Sequence, residues 1–373
     1  MTEKSFVVVF PSIFSQKKLP LLMENIKKIL KIKDQQFKSI KKDGSLIIID
    51  ANDPVFASSA INLLFGIKRV AIARQIKNDF EVAVSEISKI GSNLLLKGDM
   101  FYVKVEGEAK GFIPKDLEMA ATSAIIEKTA ELGAHPGTEE KHDKILRTFL
   151  TKSNGYVSIF SDEGLGGIPY GSHKKTALCI IFDELSAISC VETIKQGFDT
   201  TMIICYTKDT ELSSLVKIVN QIIPRTLKDE IKLEFIRINF KRGQKNYFEY
   251  FKIITDLTKK ISKELKMDCV SLPISPLIFP ARIINEILLD FSKNGIIAYI
   301  PLGALEEEIF NNAKEIGIGK SVSKIKDLAK IDFSNLKFAQ SPKTIIEKKS
   351  LTIKVGPNNV HEILDQLIEE KKI

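Results

Sequence analysis

Residues 176–207 read TALCIIFDELSAISCVETIKQGFDTTMIICYT. Two unbroken apolar runs, 176–182 and 200–207, flank a helical segment, 186–197, that closes on Gly197. Unbroken rather than alternating apolar strands are what a parallel sheet needs when helices cover both faces. The alternation continues downstream. ELSSLVKIVNQII (211–223) and YFEYFKIITDLTKKISKEL (247–265) read as helices, and KLEFIRINF (232–240) and CVSLPI (269–274) as strands. The pattern predicts a doubly wound α/β domain, in which a ligand belongs at the carboxyl ends of the strands. SLTIKVGPNN and HEILDQLIEEKKI read as a closing strand and helix.

Upstream the grammar is different. SFVVVF (5–10) is a strand, and KLPLLMENIKKILKI (18–32) places Leu22, Ile26, Ile29 and Leu30 at helical spacing. FKSIKKDGSLIIID (37–50) reads as a hairpin around Asp43-Gly44. DPVFASSAINLLFGI (53–67) reads as a helix capped by Asp53 with Pro54 at its first position. VAIARQI (70–76) closes a β-α-β-β-α-β order, the ferredoxin-like plan. Between about 77 and 165 the chain offers a helix (FEVAVSEISKIGSNLL), an alternating strand (MFYVKVEG, 100–107), a helix opened by Pro114, and the strands KILRTFLT and YVSIFSDE. A glycine-rich hinge, Glu163–Gly171, then leads into the α/β domain.

Composition narrows the class. Of 373 residues 44% are hydrophobic and 27% charged, enough for more than one core. Four scattered cysteines exclude a disulfide scaffold and suit a reducing compartment. No apolar run reaches the ~18 residues of a membrane span, and no signal peptide is read at the N-terminus, so a soluble cytoplasmic protein is expected. The net charge of +8 is uneven: +7 over residues 1–75, −2 over 76–175 and +3 beyond. A basic first segment suits a polyanionic partner, because lysine and arginine neutralise phosphates and release condensed counterions.

The segment EGLGGIPYGSHKK (163–175), running at once into an α/β domain and preceded by KGDMFYVKVEGEAKGF…KDLE, resembles the tRNA 4-thiouridine sulfurtransferases of the thiamine-biosynthesis and tRNA-thiolation family. The resemblance implies a ferredoxin-like domain at 1–76 and a THUMP domain at 77–165. It also implies a PP-loop domain of the adenine nucleotide alpha hydrolase-like type at 172–373. It implies tRNA as partner, held by its acceptor stem and 3′ end, ATP-dependent adenylation of a uridine, and a cysteine persulfide as sulfur carrier. No C-terminal rhodanese extension, which some members carry, is expected.

The chemistry implied by the family is missing at two points. Its PP-loop reads S-G-G-x-D-S, with glycines that let backbone N–H groups approach phosphates. Counted without a gap from Gly171 to Gly197, the residues on that motif are Ile181, Phe182, Asp183, Glu184, Leu185 and Ser186. Only the final serine survives. Two acids would face a triphosphate, and side chains at 182 and 183 obstruct it. The family's persulfide cysteine lies in the C-terminal third, beyond the helix that EEEIFNNAKEIG (306–317) resembles. Here residues 270–373 contain none, and only a thiolate carries this sulfur. Cys179, Cys190 and Cys205 read as small buried hydrophobes. The expectation is a tRNA-binding pseudoenzyme serving as a binding or accessory subunit, with no catalytic residue, cofactor or metal. A modification-enzyme partner and a homodimer are the further partners considered. An active sulfurtransferase with an altered nucleotide site and a partner's sulfur, and a protein-interaction scaffold, stay open as alternatives.

Candidates for phosphate contact are Lys17, Lys18, Lys68, Arg69, Arg74, Lys104, Lys110, Lys115, Arg147, Lys174 and Lys175, with Lys41 and Lys42 beside them. The loop Glu106-Gly107-Glu108-Ala109-Lys110 carries two acids where the family's is strongly basic, so binding is expected to be weaker or differently centred. Gly317-Ile318-Gly319-Lys320-Ser321 imitates the end of a Walker A loop but has Lys314 where the first glycine belongs, and reads as a helix C-cap. His135, His142 and Asp143 lie in a loop without a further ligand, and His173 and His361 stand apart from any nucleophile.

Overall fold

The computed structural model of the chain describes residues 4–241, 243, 246–303, 307–319, 325, 327, 328, 330 and 345–369. They form two compact units. The first comprises the chain up to Leu19, Asp34–Leu63 and Ile67–Leu165; the second comprises Pro20–Lys33, Leu64–Gly66 and the chain from Gly166 onward.

The first unit is built on β1 (Ser5–Pro11), β2 (Phe37–Asp43), β3 (Leu46–Ala51), β4 (Ile67–Lys77), β5 (Met100–Gly107), β6 (His135–Pro136), β7 (Lys144–Leu150) and β8 (Asn154–Gly166). These make one eight-stranded sheet in the order β2-β3-β1-β4-β8-β7-β5-β6. β1 pairs antiparallel with both β3 and β4, and β2 with β3, as the ferredoxin-like order requires. Of the first two helices, α1 (Leu19–Ile32) groups with the second unit and α2 (Pro54–Ile61) with the sheet. α2 starts where local chemistry places it: the Asp53 carboxylate accepts from the N–H groups of Val55 and Phe56 at 2.9 and 3.1 Å, and Pro54 needs no partner.

The sheet does not stop at β4. β8 adds to it and brings in β7, β5 and β6, with α3 (Phe80–Leu94) and α4 (Pro114–Lys128) packed on one face. Period-two alternation in β5 sends Phe101, Val103 and Val105 into that core beside Ile87, Leu117 and Ile125. The other face has its own apolar cluster, in which Val8, Leu46, Ile48, Ala71, Ala73 and Tyr156 are buried. Among the described residues, that cluster is formed by strands alone, and the sheet curls over it. Asp43 on β2 accepts hydrogen bonds from Tyr156 (2.6 Å), Asn154 (2.8 Å) and Thr151 (3.1 Å). Three strands lie between β2 and β8, so in a flat sheet the two would stand about 19 Å apart. Curling closes that gap.

The second unit contains β9 (Thr176–Ile181), α5 (Glu184–Lys195), β10 (Asp199–Tyr206), α6 (Asp209–Ile222), β11 (Glu230–Ile238), α7 (Tyr247–Glu264), β12 (Cys269–Ser271), α8 (Ala281–Lys293), β13 (Ile297–Tyr299), α9 (Glu307–Glu315), β14 (Ile345–Lys354) and α10 (Val360–Glu369). Its sheet runs β13-β12-β9-β10-β11-β14, parallel except for β14, which pairs antiparallel with β11. α5 is buried over its whole length from Leu185 to Lys195, which explains why its sequence shows no polar face.

Two local readings are corrected. The strand expected over 269–274 ends at Ser271, because Pro273 has no N–H for a ladder. The hinge expected from Glu163 begins later, since β8 runs to Gly166, and it is strapped down. Ile168 N–H donates to the Lys195 carbonyl (2.8 Å), His173 N–H donates to the Gly197 carbonyl (3.1 Å), and the His173 ring stacks on Phe198 at 4.4 Å. Gly167 has φ +75°, and a Cβ there would stand 2.6 Å from the Lys195 carbonyl oxygen, so glycine is needed at that position for both reasons.

Candidate nucleotide crevice and nucleic-acid interface

In the second unit the strand order reverses between β9 and β12, so the crevice that could receive a ligand lies beyond the carboxyl ends of those two strands. Among the described residues, the chain's own side chains pack at that end of β9. Phe182, directly after β9, is 1% exposed and meets Tyr250 edge-on at 5.7 Å and Phe251 at 6.3 Å. Phe279, from the loop after β12, closes on Phe251 at 4.8 Å. Aromatic side chains from α7 and from two connecting loops thus pack as core where an open crevice would be.

The polar side of the loop is equally committed. Asp183 caps α5: its carboxylate accepts from Ser186 N–H (2.8 Å) and from the Tyr247 hydroxyl (3.0 Å). Ser186 Oγ accepts from the N–H groups of both Phe182 and Asp183, each at 2.9 Å. Those two N–H groups are the ones a phosphate cradle would present. At the positive end of α5, where an anion is favourable, the protein supplies its own buried carboxylate.

The four cysteines are all buried. A hydrogen bond with Cys179, together with burial, pushes the Cys190 thiol well up, and burial raises Cys205 and Cys269. None has the exposed, electropositive setting that makes a thiolate. Gly317, φ +78°, ends α9: its N–H and that of Ile318 donate back to Lys314 and Ala313, each at 3.0 Å, in a helix C-cap. Lys320 and Ser321 lie outside the described residues. Asp143 accepts from Met100 N–H (2.8 Å) at the start of β5, and a His142 ring nitrogen lies 3.0 Å from the Thr138 carbonyl oxygen in its own turn.

The basic candidates fall into distinct environments. Arg69 is 8% exposed. It pairs with Glu106 (3.4 Å) and Glu163 (3.3 Å) and lies over the Phe10 ring. Period-two alternation turns it onto the concave face, the face of Ala71 and Ala73. Arg74, half-buried, pairs with Glu86 at 2.8 Å. Lys104 sits in register with Arg147 on the face opposite the α3–α4 core, and its hydrogen bond to Glu139 (3.4 Å) raises its pKa. Lys115 pairs with Glu118 at 2.8 Å. Lys17, Lys68, Lys110 and Lys174 are exposed, Lys18 and Arg147 half-buried, and Lys175 exposed beside Asp268 (3.4 Å). Lys174 and Lys175 precede β9 and the altered loop follows it, so a six-residue strand, roughly 20 Å, separates them.

Sequence reasoning missed a cleft of about 420 Å³ at one end of the concave face, with Lys4, Lys41 and Lys42 among its lining residues and Phe6 and Tyr156 beside them. A neighbouring hollow adds Lys77. The register Lys41↔Ile48 was the available signal, since it places Lys41 on the face of Ile48.

Near the strap, Tyr170 and Lys228 (2.9 Å) both engage the Asp199 carboxylate. Burial pushes that carboxyl up, but the phenol and ammonium outweigh it and hold it below the usual value. A carboxyl depressed in the folded state stabilises fully above its unfolded pKa, about 3.9, and loses that contribution as pH falls through the lower folded value. Asp199→Asn is therefore expected to flatten the acid limb. Its melting temperature, followed from pH 5 to pH 2.5, should fall less than that of the wild type.

The second unit thus has the doubly wound α/β form, and the first a ferredoxin-like sheet extended by four further strands. Two solved structures share this fold. PH1313 from Pyrococcus horikoshii is 19% identical, with TM-score 0.63 over 84% of this chain and 99% of its own. A 4-thiouridine synthetase, solved as an RNA complex with bound ATP, is 13% identical, with TM-score 0.61 over 99% of this chain and 95% of its own. In sequence the chain is similar to probable tRNA sulfurtransferases. That of Methanosarcina acetivorans is 22% identical over 187 residues, 50% of this chain and 45% of the relative. That of Bacillus licheniformis is 23% identical over 207 residues, 53% and 51%. The match therefore spans about half the length of these relatives. No family model matches the chain. The resemblance read from residues 163–175 is supported by these sequence relatives and by the fold. Among the described residues, no helix is long and apolar enough to cross a membrane.

Proposed function

We propose that this chain binds tRNA chiefly through its first unit and does not itself thiolate it, acting as a binding or accessory subunit for a modification enzyme. The observation that carries the reading is the filled crevice: Phe182 in the aromatic core and Asp183 bonded to Ser186 and Tyr247, where the related enzymes' motif has glycines. The lack of any cysteine after Cys269 supports it independently. The relatives named tRNA sulfurtransferase and the RNA-bound neighbour supply the choice of tRNA. The four buried cysteines suit a reducing compartment such as the cytoplasm.

Filter binding to tRNA with and without its 3′ end tests the RNA half. A dissociation constant weaker than ~10 μM at low salt would sink it, because several neutralised phosphates give tighter binding. Calorimetry with ATP tests the other half: no binding heat is expected, and clear affinity would restore the active-enzyme reading. The cations should also separate. Replacing Lys41, Lys42 and Lys77 together by Gln should reduce the slope of log affinity against log salt by roughly one for each phosphate left without its cation. Arg69→Gln should leave the slope unchanged, since Arg69 is buried against carboxylates.

A further inference from the structure

In the second unit, a short 3-10 turn, Ile223–Thr226, joins α6 to β11 at the end of the sheet opposite the filled crevice. It holds Arg225 with 2% of its surface exposed. The turn is firmly set: Thr226 Oγ1 donates to the Ile223 carbonyl (2.8 Å), and Leu227 follows in the left-handed region with φ +52°. One terminal nitrogen, Nη1, donates to the Gln221 carbonyl. The other two, Nε and Nη2, are buried and have no hydrogen-bond partner among the described residues.

The choice of orphans is informative. Nε–H and one Nη2–H point the same way along one edge of the guanidinium, forming the two-pronged fork that takes two oxygens of one oxyanion. Nη1, on the other edge, is the nitrogen already satisfied. Charges of both signs act in its neighbourhood. Lys33, at the end of the segment that contains α1, lies close enough for Arg225 to help depress its ammonium pKa, after burial. Burial lowers Arg225 itself to about 10, and the Glu315 carboxylate partly opposes that shift. At neutral pH the guanidinium is still charged. A buried guanidinium whose Nε–Nη2 edge makes no hydrogen bond among the described residues is unfavourable unless an anion completes it.

We propose that the Nε–Nη2 edge of Arg225, with Lys33 beside it, is a binding site for a small tetrahedral dianion of the inorganic phosphate class. Two neighbouring cations favour a dianion over a single carboxylate. The depth of Arg225 favours a small free ion over a nucleic-acid backbone, which cannot follow a guanidinium into the interior. The site uses no group of the filled crevice and none of the cations assigned to tRNA, so it stands whether or not that reading does.

The test is a thermal melt of the full chain in chloride, acetate and phosphate at equal ionic strength, with a phosphorus-31 line-width titration of inorganic phosphate alongside. The wild type should melt higher with increasing phosphate and broaden the phosphate resonance. Arg225→Met should melt above the wild type in chloride, because it removes an uncompensated charge, and should bind phosphate at least about tenfold more weakly. Arg225→Lys, which keeps the charge but loses the fork, should also weaken binding, and it serves if the methionine variant does not fold. Equal responses of the wild type to all three anions would overturn the proposal. So would acetate matching phosphate, or variants that respond to phosphate as the wild type does.

Discussion

Gly107→Ala is expected to unfold the outer half of the first unit. Gly107 ends β5 with φ +104°, and a Cβ built there would stand 2.0 Å from the carbonyl oxygen of Leu150. That oxygen cannot retreat, because it accepts from Glu108 N–H at 2.9 Å and Leu150 is the register partner of Gly107. Both the left-handed backbone and the clash oppose alanine, so a loss of about 3 kcal/mol or more is expected. Gly98 supplies the control. It has φ +80° but nothing within 4 Å of its notional Cβ, so Gly98→Ala carries the conformational strain alone, about 1 kcal/mol. Urea midpoints of the two variants separate the terms. Equal midpoints would mean that the β5–β7 pairing yields and that the clash is not a barrier.

Asp43→Ala should release the curl of the sheet. One carboxylate oxygen accepts from Tyr156, Asn154 and Thr151, which belong to β8 and the turn before it. Removing it leaves the Asn154 and Tyr156 donors without their acceptor, while Thr151 keeps the Asn154 carbonyl. Hydrogen bonds to a charged group are worth about 1.5–3 kcal/mol each and are not additive, so roughly 3 kcal/mol is expected for the set. Asp43→Asn keeps an acceptor and should lose less. Near-UV circular dichroism of Tyr156 and a urea midpoint read the effect. Because Lys41 and Lys42 line the cleft near Asp43, Asp43→Ala should also weaken RNA binding in a salt-dependent way. If the midpoint is unchanged, the curl is held by the apolar cluster of Val8, Leu46 and Ile48 alone.

Elements governed by neighbours a few residues apart could be read directly. The Asp53-Pro54 start of α2, the alternation of Phe101, Val103 and Val105, and the unbroken apolar strands β9 and β10 all follow from periodicity and capping, which act within one or two turns of chain. The altered loop at 181–186 could be read in the same way, because glycine's absence is visible without coordinates. Its consequence was only half legible. That Asp183 would face inward as a helix cap, rather than outward as a repelling charge, depended on Tyr247 arriving from α7, 64 residues on.

Packing between distant segments decided the rest. Arg69 and Lys68 are adjacent in sequence and equally basic, yet one is 8% exposed and pairs with Glu106 and Glu163 from distant strands while the other faces solvent. Asp43 looked like one half of a tight turn, and only the curl of the sheet made it an acceptor for β8. Arg225 gave no signal at all along the chain. Local order follows from bonded geometry and short-range hydrogen bonding, which the residue string states outright. The fate of a charge depends on its solvation and its partners, which exist only once segments a hundred residues apart have met.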